Sequence, residues 1–147
     1  MLGNNFAPAG YRSVTPGLSV KDAAGMLKFL EKVFGAEVAG KHEKDGVIDH
    51  ATVRIGDSVL ECSEAHGEWG PRAAAIHIYV PDVDGVYRAA IAAGATSLQE
   101  PKDQFYGERS GAVIDAWENH WYIARHQETL SEAEVQRRAA EQAKAAG

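Results

Sequence analysis

The sequence predicts an α+β fold of two tandem βαβββ modules, and three observations carry that prediction. The string Val20-Lys21-Asp22-Ala23-Ala24-Gly25 is echoed by Val80-Pro81-Asp82-Val83-Asp84-Gly85, an internal repeat at a lag of about 60 residues. Each copy follows an alternating apolar run and opens a helix-periodic stretch that stops at Gly-Ala, Gly35-Ala36 in one and Gly94-Ala95 in the other. Three strand-like segments then follow each helix.

In the strand ending at Val20, Val14, Pro16, Leu18 and Val20 alternate with Ser13, Thr15, Gly17 and Ser19, so one face is apolar and the other polar. Asp22 stands where a side chain accepts from first-turn amides. Ala23, Met26, Leu27, Leu30, Val33 and Phe34 then share a helix face opposite Lys28, Glu31 and Lys32. Strands are expected at 37–40, 47–55 and 58–63, with reversals at Lys44-Asp45-Gly46 and Ile55-Gly56-Asp57. Residues 64–72, with Trp69-Gly70-Pro71, bridge the modules.

In the second module Ile76, Ile78 and Val80 oppose Ala75, His77 and Tyr79. Asp82 caps a helix whose apolar face is Val83, Tyr87, Ala90, Ile91 and Ala93. Strands follow at 96–99, 111–116 and 120–126, with 101–110 expected as a long polar loop of the kind that often carries function. After Gln127, Ser131 and Glu134 stand in capping-box spacing ahead of an alanine-rich helix. Its thin stripe of Ala133, Val135, Ala139, Ala140 and Ala143 leaves three readings open: packing on the body, packing on a second subunit, or a frayed end. The expected organisation is one domain over 1–128, with modules at about 11–64 and 73–127, and a helical tail over 129–147.

Composition agrees with this organisation and excludes several classes. The chain has 147 residues, 45% hydrophobic and 24% charged, which is ordinary for a globular domain and excludes disorder, collagen and coiled coil. A domain of this size buries roughly 68–70% of its unfolded surface, so a core forms without disulfides or metal staples. The lone cysteine, Cys62, has no internal partner, which fits a reducing compartment, and the cytoplasm is expected. Residues 1–11 carry no cationic stretch followed by an apolar run, and no apolar segment approaches the roughly 18 residues of a membrane span. The net charge of −6, with dispersed Lys and Arg, argues against a nucleic-acid partner.

The chemistry gathers on the polar strand faces. His50, Thr52 and Arg54 alternate with Ala51, Val53 and Ile55; Val59, Glu61 and Ser63 alternate with Leu60 and Cys62; His120 and Tyr122 alternate with Trp121 and Ile123. Antiparallel sheets commonly wet one face, which is one reading of these positions. The other is that the curved sheets enclose a cleft lined by imidazole, phenol and charged groups, a concavity suited to small molecules.

Several strings resemble the vicinal oxygen chelate superfamily of glyoxalase I, extradiol dioxygenases and the fosfomycin and bleomycin resistance proteins. They are Asp49-His50-Ala51 leading to Arg54-Ile55-Gly56-Asp57-Ser58, Tyr79-Val80-Pro81-Asp82-Val83-Asp84, Gly94-Ala95-Thr96, Gln104-Phe105-Tyr106-Gly107-Glu108-Arg109-Ser110, and Asn119-His120-Trp121-Tyr122-Ile123-Ala124-Arg125-His126. The resemblance covers about residues 11–127 and points to glyoxalase-like proteins of the bleomycin-resistance or phosphonate-operon kind. It implies a curved mixed sheet around a cleft, and a homodimer. In metal-dependent members the ligands come from the first and fourth strands of each module; those positions fall on Thr15, Ala75 and Tyr122, none a usable ligand, and on Glu61. The usual Pro-x-Gly-Asn after Asp115 is replaced by Ala116-Trp117-Glu118-Asn119.

The candidate ligand-binding residues are therefore His50, Arg54, Glu61, His77, Tyr79, Tyr106, Arg109, His120 and Tyr122. Tyr79 and Tyr122, with Trp117 or a Trp121 expected in the core, offer stacking surfaces. Arg54 or Arg109 suits an anionic group and Glu61 a cationic one. The 106–110 segment is expected as a cleft wall or lid, or as a plain connecting turn, and His77 or His50 is a candidate general base. The leading expectation is a binding protein for a small organic molecule, without cofactor. The alternative is a lyase, isomerase or dioxygenase holding Zn, Ni, Mn or Fe on a displaced set of His50, Glu61, His77 and His120. Glyoxalase I activity is disfavoured because its ligand positions are not filled.

Overall fold

The computed structural model describes residues 6–147; the first five, part of the stretch read for a secretory signal, lie outside the described residues. The chain divides between Ala74 and Ala75 into two compact units. That boundary falls between the two expected modules, and the tail expected over 129–147 belongs to the second unit.

The first unit runs β1 (Gly17–Val20), α1 (Ala23–Phe34), β2 (Glu37–Lys44), β3 (Val47–Ile55) and β4 (Ser58–Glu64). The second runs β5 (Ala75–Tyr79), α2 (Val83–Ala92), β6 (Thr96–Asp103), β7 (Glu108–Ile114), β8 (His120–His126) and α3 (Glu132–Ala146). The sheets have matching orders, β1-β4-β3-β2 and β5-β8-β7-β6. In each, the first strand pairs parallel to the last and the remaining ladders are antiparallel. The duplicated α+β βαβββ architecture is thus present in full. Among the described residues no helix is long and apolar enough to cross a membrane.

Helix placement follows from local chemistry. Asp22 and Asp82 cap α1 and α2, each accepting from the amide three residues on, Gly25 N and Gly85 N, both at 3.0 Å. Glu64, at the end of β4, adds a second cap: its carboxylate accepts from Asp22 N at 2.8 Å and Ala23 N at 3.0 Å. Because β1 and β4 are parallel and Val20 lies opposite Glu64, the sheet delivers this carboxylate to the positive end of α1. Glu64→Ala is expected to cost about 1 kcal/mol in urea denaturation, the usual worth of a lost cap; an unchanged midpoint would show that water replaces it.

The apolar face of α1 is wider than its periodicity indicates. Phe29 is buried along with Ala23, Met26, Leu27, Leu30 and Val33, and its ring meets Phe34 edge-on at 6.1 Å. In α2 only Val83 and Ala90 are buried, and Ile91 is exposed. The helix-facing strand residues Leu18, Val20, Ala51, Val53, Cys62, Val113, Trp121 and Ile123 complete the two cores. Ser131 caps α3 through Glu134 N as expected, and no α3 residue is buried.

Three strand expectations need correction. β1 begins at Gly17, so Val14 is exposed rather than packed, and Thr15 precedes the strand. β2 continues to Lys44, extending the β3 hairpin. Val59 lies on the open face as expected, opposite Arg54, and is buried there. The loop expected over 101–110 is mostly strand: β6 runs to Asp103, β7 starts at Glu108, and only residues 104–107 turn. Pro101 is tolerated because β6 is the sheet edge and its register shifts between Gln99 and Lys102, where a missing N–H leaves no ladder partner unsatisfied.

Candidate functional site

In the second unit the ladders set one face of chemistry. His77 lies opposite Tyr122 and Ala75 opposite His120 across the β5–β8 pair. Ala112 lies opposite Tyr122, and Ile114 opposite His120, across β7–β8. Directly opposed residues project to the same side of a sheet, so the rings form one row. His77 stacks at a tilt on Tyr79 at 4.8 Å, and Tyr122 lies 6.4 Å from both His77 and His120.

Glu108, on the same face of β7, anchors one end of this row. Tyr79 Oη donates to Glu108 Oε1 at 3.0 Å, which holds the phenol above its ordinary pKa by stabilising its protonated form beside a negative charge. His77 Nε2 stands 3.8 Å from Glu108 Oε2, beyond hydrogen-bond reach. The Glu108 side chain is only 13% exposed. A pocket of about 680 Å³ opens over the ring row, its lining including His77, Gln99, Tyr106, Ser110, His120 and Tyr122.

Tyr106 reaches this pocket from the 104–107 turn, while 108–110 of the segment expected as cleft wall, lid or connecting turn belong to β7, from which Ser110 also lines the pocket. Arg109 goes elsewhere. It lies one residue out of phase with Glu108 and projects to the helix side, where it binds Asp84 in two contacts of 2.7 and 2.8 Å and Asp103 at 3.2 Å. Its guanidinium holds the Asp84 carboxyl below the ordinary range. The expected anion partner is therefore committed to the protein's own carboxylates.

The remaining three candidates lie in the first unit. His50, Glu61 and Arg54 occupy the open face of β3 and β4, with Thr52 opposite Glu61 and Arg54 opposite Val59. His50 Nε2 is 3.8 Å from Glu61 Oε2, and Tyr11 Oη donates to Thr52 Oγ1 at 3.3 Å. Trp121 is fully buried, as expected of a core residue, and Trp117 is half-buried in the loop before β8.

The sequence profile of the Glyoxalase/Bleomycin resistance protein/Dioxygenase superfamily matches residues 12–123. The chain belongs to this superfamily. Among its relatives is the uncharacterized protein Mb0911c of Mycobacterium bovis, 32% identical over 144 residues, covering 90% of this chain and 92% of that one. The superfamily fold recurs in the crystal structure of TioX from Micromonospora sp. ML1, with a TM-score of 0.69, 24% identity, and coverage of 78% of this chain and 98% of that one. It recurs again in a glyoxalase/bleomycin resistance protein/dioxygenase family enzyme from Burkholderia phytofirmans PsJN, with a TM-score of 0.63, 18% identity, and coverage of 76% and 96%.

The residues at the superfamily's metal positions do not fit a metal. Thr15 precedes β1, Ala75 offers no donor, and Tyr122 carries a phenol in the ring row; Glu61 is the one carboxylate. Within neither unit do three described His, Cys, Asp or Glu side chains gather as a metal site would require. Cys62 supplies no nucleophile, since burial pushes its thiol up to about 11.

Proposed function

We propose that the chain is a small-molecule binding protein of the bleomycin-resistance-like branch, acting in the cytoplasm as a homodimer and without a metal. Its binding surface is the ring row of the second unit. The observation that carries this reading is the alignment of His77, Tyr79, His120 and Tyr122 beside a pocket of about 680 Å³, with Tyr79 fixed by Glu108. Flat rings exposed on a rigid sheet offer stacking area at little entropic cost, which suits a planar organic ligand. The unfilled metal positions support recognition rather than metal chemistry.

Two measurements on protein purified without chelator or metal-affinity tag test this reading. Elemental analysis is expected to find metal far below one ion per chain, and a thermal-shift screen of planar organic compounds is expected to find stabilising ligands. Tyr122→Ala should weaken such a ligand about five- to tenfold, the worth of one aromatic stacking partner. Near-stoichiometric Zn, Ni, Mn or Fe, lost on replacing His77 or Glu61, would overturn the proposal in favour of a metal-dependent lyase, isomerase or dioxygenase.

A further inference from the structure

We infer that the ligand of this face is an organic cation with a flat apolar body, its positive group seated at Glu108 beside the rings of Tyr79 and His77. The inference rests on the reading of the second unit's ring row as the binding surface, and it names the charge of what binds there.

Glu108 is the charged group that meets the ring row, and its two oxygens differ. Oε1 takes the Tyr79 hydroxyl at 3.0 Å, whereas Oε2 accepts no hydrogen bond from any described residue and looks across 3.8 Å to His77 Nε2. A carboxylate 13% exposed with one unused oxygen gains most from a cation, because partial burial weakens the competition from water. Of the neighbouring cations, Arg109, Arg125, Arg138 and His126 are turned away or already held, and Lys102 makes no ion pair with Glu108. Arg109 is on the helix side with Asp84 and Asp103. Arg125 binds the Pro81 carbonyl, and Arg138 binds Glu128 and Glu134. Lys102, opposite Ser110 on the edge strand, is exposed to solvent. His126, opposite Glu108 in the ladder, turns its Nε2 to Thr129. Tyr79, Tyr106 and Tyr122 are 63%, 40% and 40% exposed, leaving electron-rich ring surface accessible to a cation. An anion here would face an uncompensated carboxylate.

Benzyltrimethylammonium, benzyl alcohol and phenylacetate, titrated into the ¹⁵N-labelled full chain, share an aryl body and differ in charge. The ammonium is expected to bind about five- to tenfold more tightly than the other two, shifting amides of β5, β7 and β8. Glu108→Gln keeps an acceptor for the Tyr79 hydroxyl while removing the charge. It should bring the ammonium down to the affinity of benzyl alcohol, leaving benzyl alcohol and the near-ultraviolet circular dichroism unchanged. An ammonium no tighter than phenylacetate, or one indifferent to Glu108→Gln, would overturn the charge assignment while leaving the binding surface intact. Failure of all three probes to shift these strands would overturn the binding surface as well.

Discussion

Replacing Asp115 with Ala is expected to remove about 3–5 kcal/mol of folding stability, the range for breaking a buried hydrogen-bond network. The side chain is 5% exposed and accepts four hydrogen bonds: from Trp117 N at 2.9 Å, Asn119 N at 2.9 Å, Asn119 Nδ2 at 3.0 Å and Trp121 Nε1 at 2.8 Å. Truncation strands these donors, and Asn119 and Trp121 are fully buried, so water cannot replace the lost acceptor without opening the core. Asp115→Asn should cost less, since one oxygen still accepts while the amide now faces donors. Urea denaturation of the three proteins measures both differences. A loss below about 1 kcal/mol for Asp115→Ala would mean that the loop re-forms around another acceptor. The consequence reaches the candidate site, because this loop leads directly into β8, which carries His120 and Tyr122.

The same loop shows what can and cannot be read from residues alone. Its composition, Ala116-Trp117-Glu118-Asn119, lacks the proline and glycine usual in the superfamily, and nothing local announces a turn. The turn survives because Asp115 holds it from inside, while Glu118 adopts a φ of +70°. Helix caps and stops were legible, since Asp22, Asp82, Gly35 and Gly94 act through neighbours three to six residues away. So were the strands at 47–55 and 120–126, where alternation is unbroken.

What escaped depends on tertiary placement. Pro101 reads as a strand breaker until β6 is known to be an edge, and starting β7 at Gly111 rather than Glu108 concealed the parity of three residues. Extending the alternation of Ser110 and Ala112 backwards would have put Glu108 on the ring face and Arg109 on the helix side. Glu108 joins the candidate face without standing out in the sequence, and Arg109, which does stand out, faces the helix side. The signal is two-residue periodicity, masked by a proline that the sheet edge accommodates.

Gly107→Ala is expected to destabilise the second unit by about 2–3 kcal/mol, the sum of a left-handed backbone penalty of about 1–2 kcal/mol and a steric conflict. Gly107 has a φ of +94°, and a Cβ there would run into the Glu128 carbonyl oxygen and stand 3.2 Å from its Cγ. The crowding is built in, since the Gly107 carbonyl accepts from Gln127 N at 2.9 Å and Glu128 N at 3.1 Å, tying the chain after β8 to the 104–107 turn. Arg138 adds to the tie through Glu128 at 2.7 Å and the Phe105 carbonyl at 3.4 Å. A methyl group must therefore displace either the segment leading to α3 or the turn that carries Tyr106. Gly94→Ala serves as the control: its φ of +103° exacts the backbone penalty, but nothing lies within 4 Å of the added carbon. Gly107→Ala should lower Tm by several degrees more than Gly94→Ala, at about 2–4 °C per kcal/mol for a chain of this size, and speed proteolysis between Gln127 and Ser131. Equal Tm losses in the two variants would show that the tail yields freely and that Gly107 serves only its own backbone. A larger loss accompanied by weaker ligand binding would show that the tie at Gly107 also sets the position of Tyr106 in the pocket.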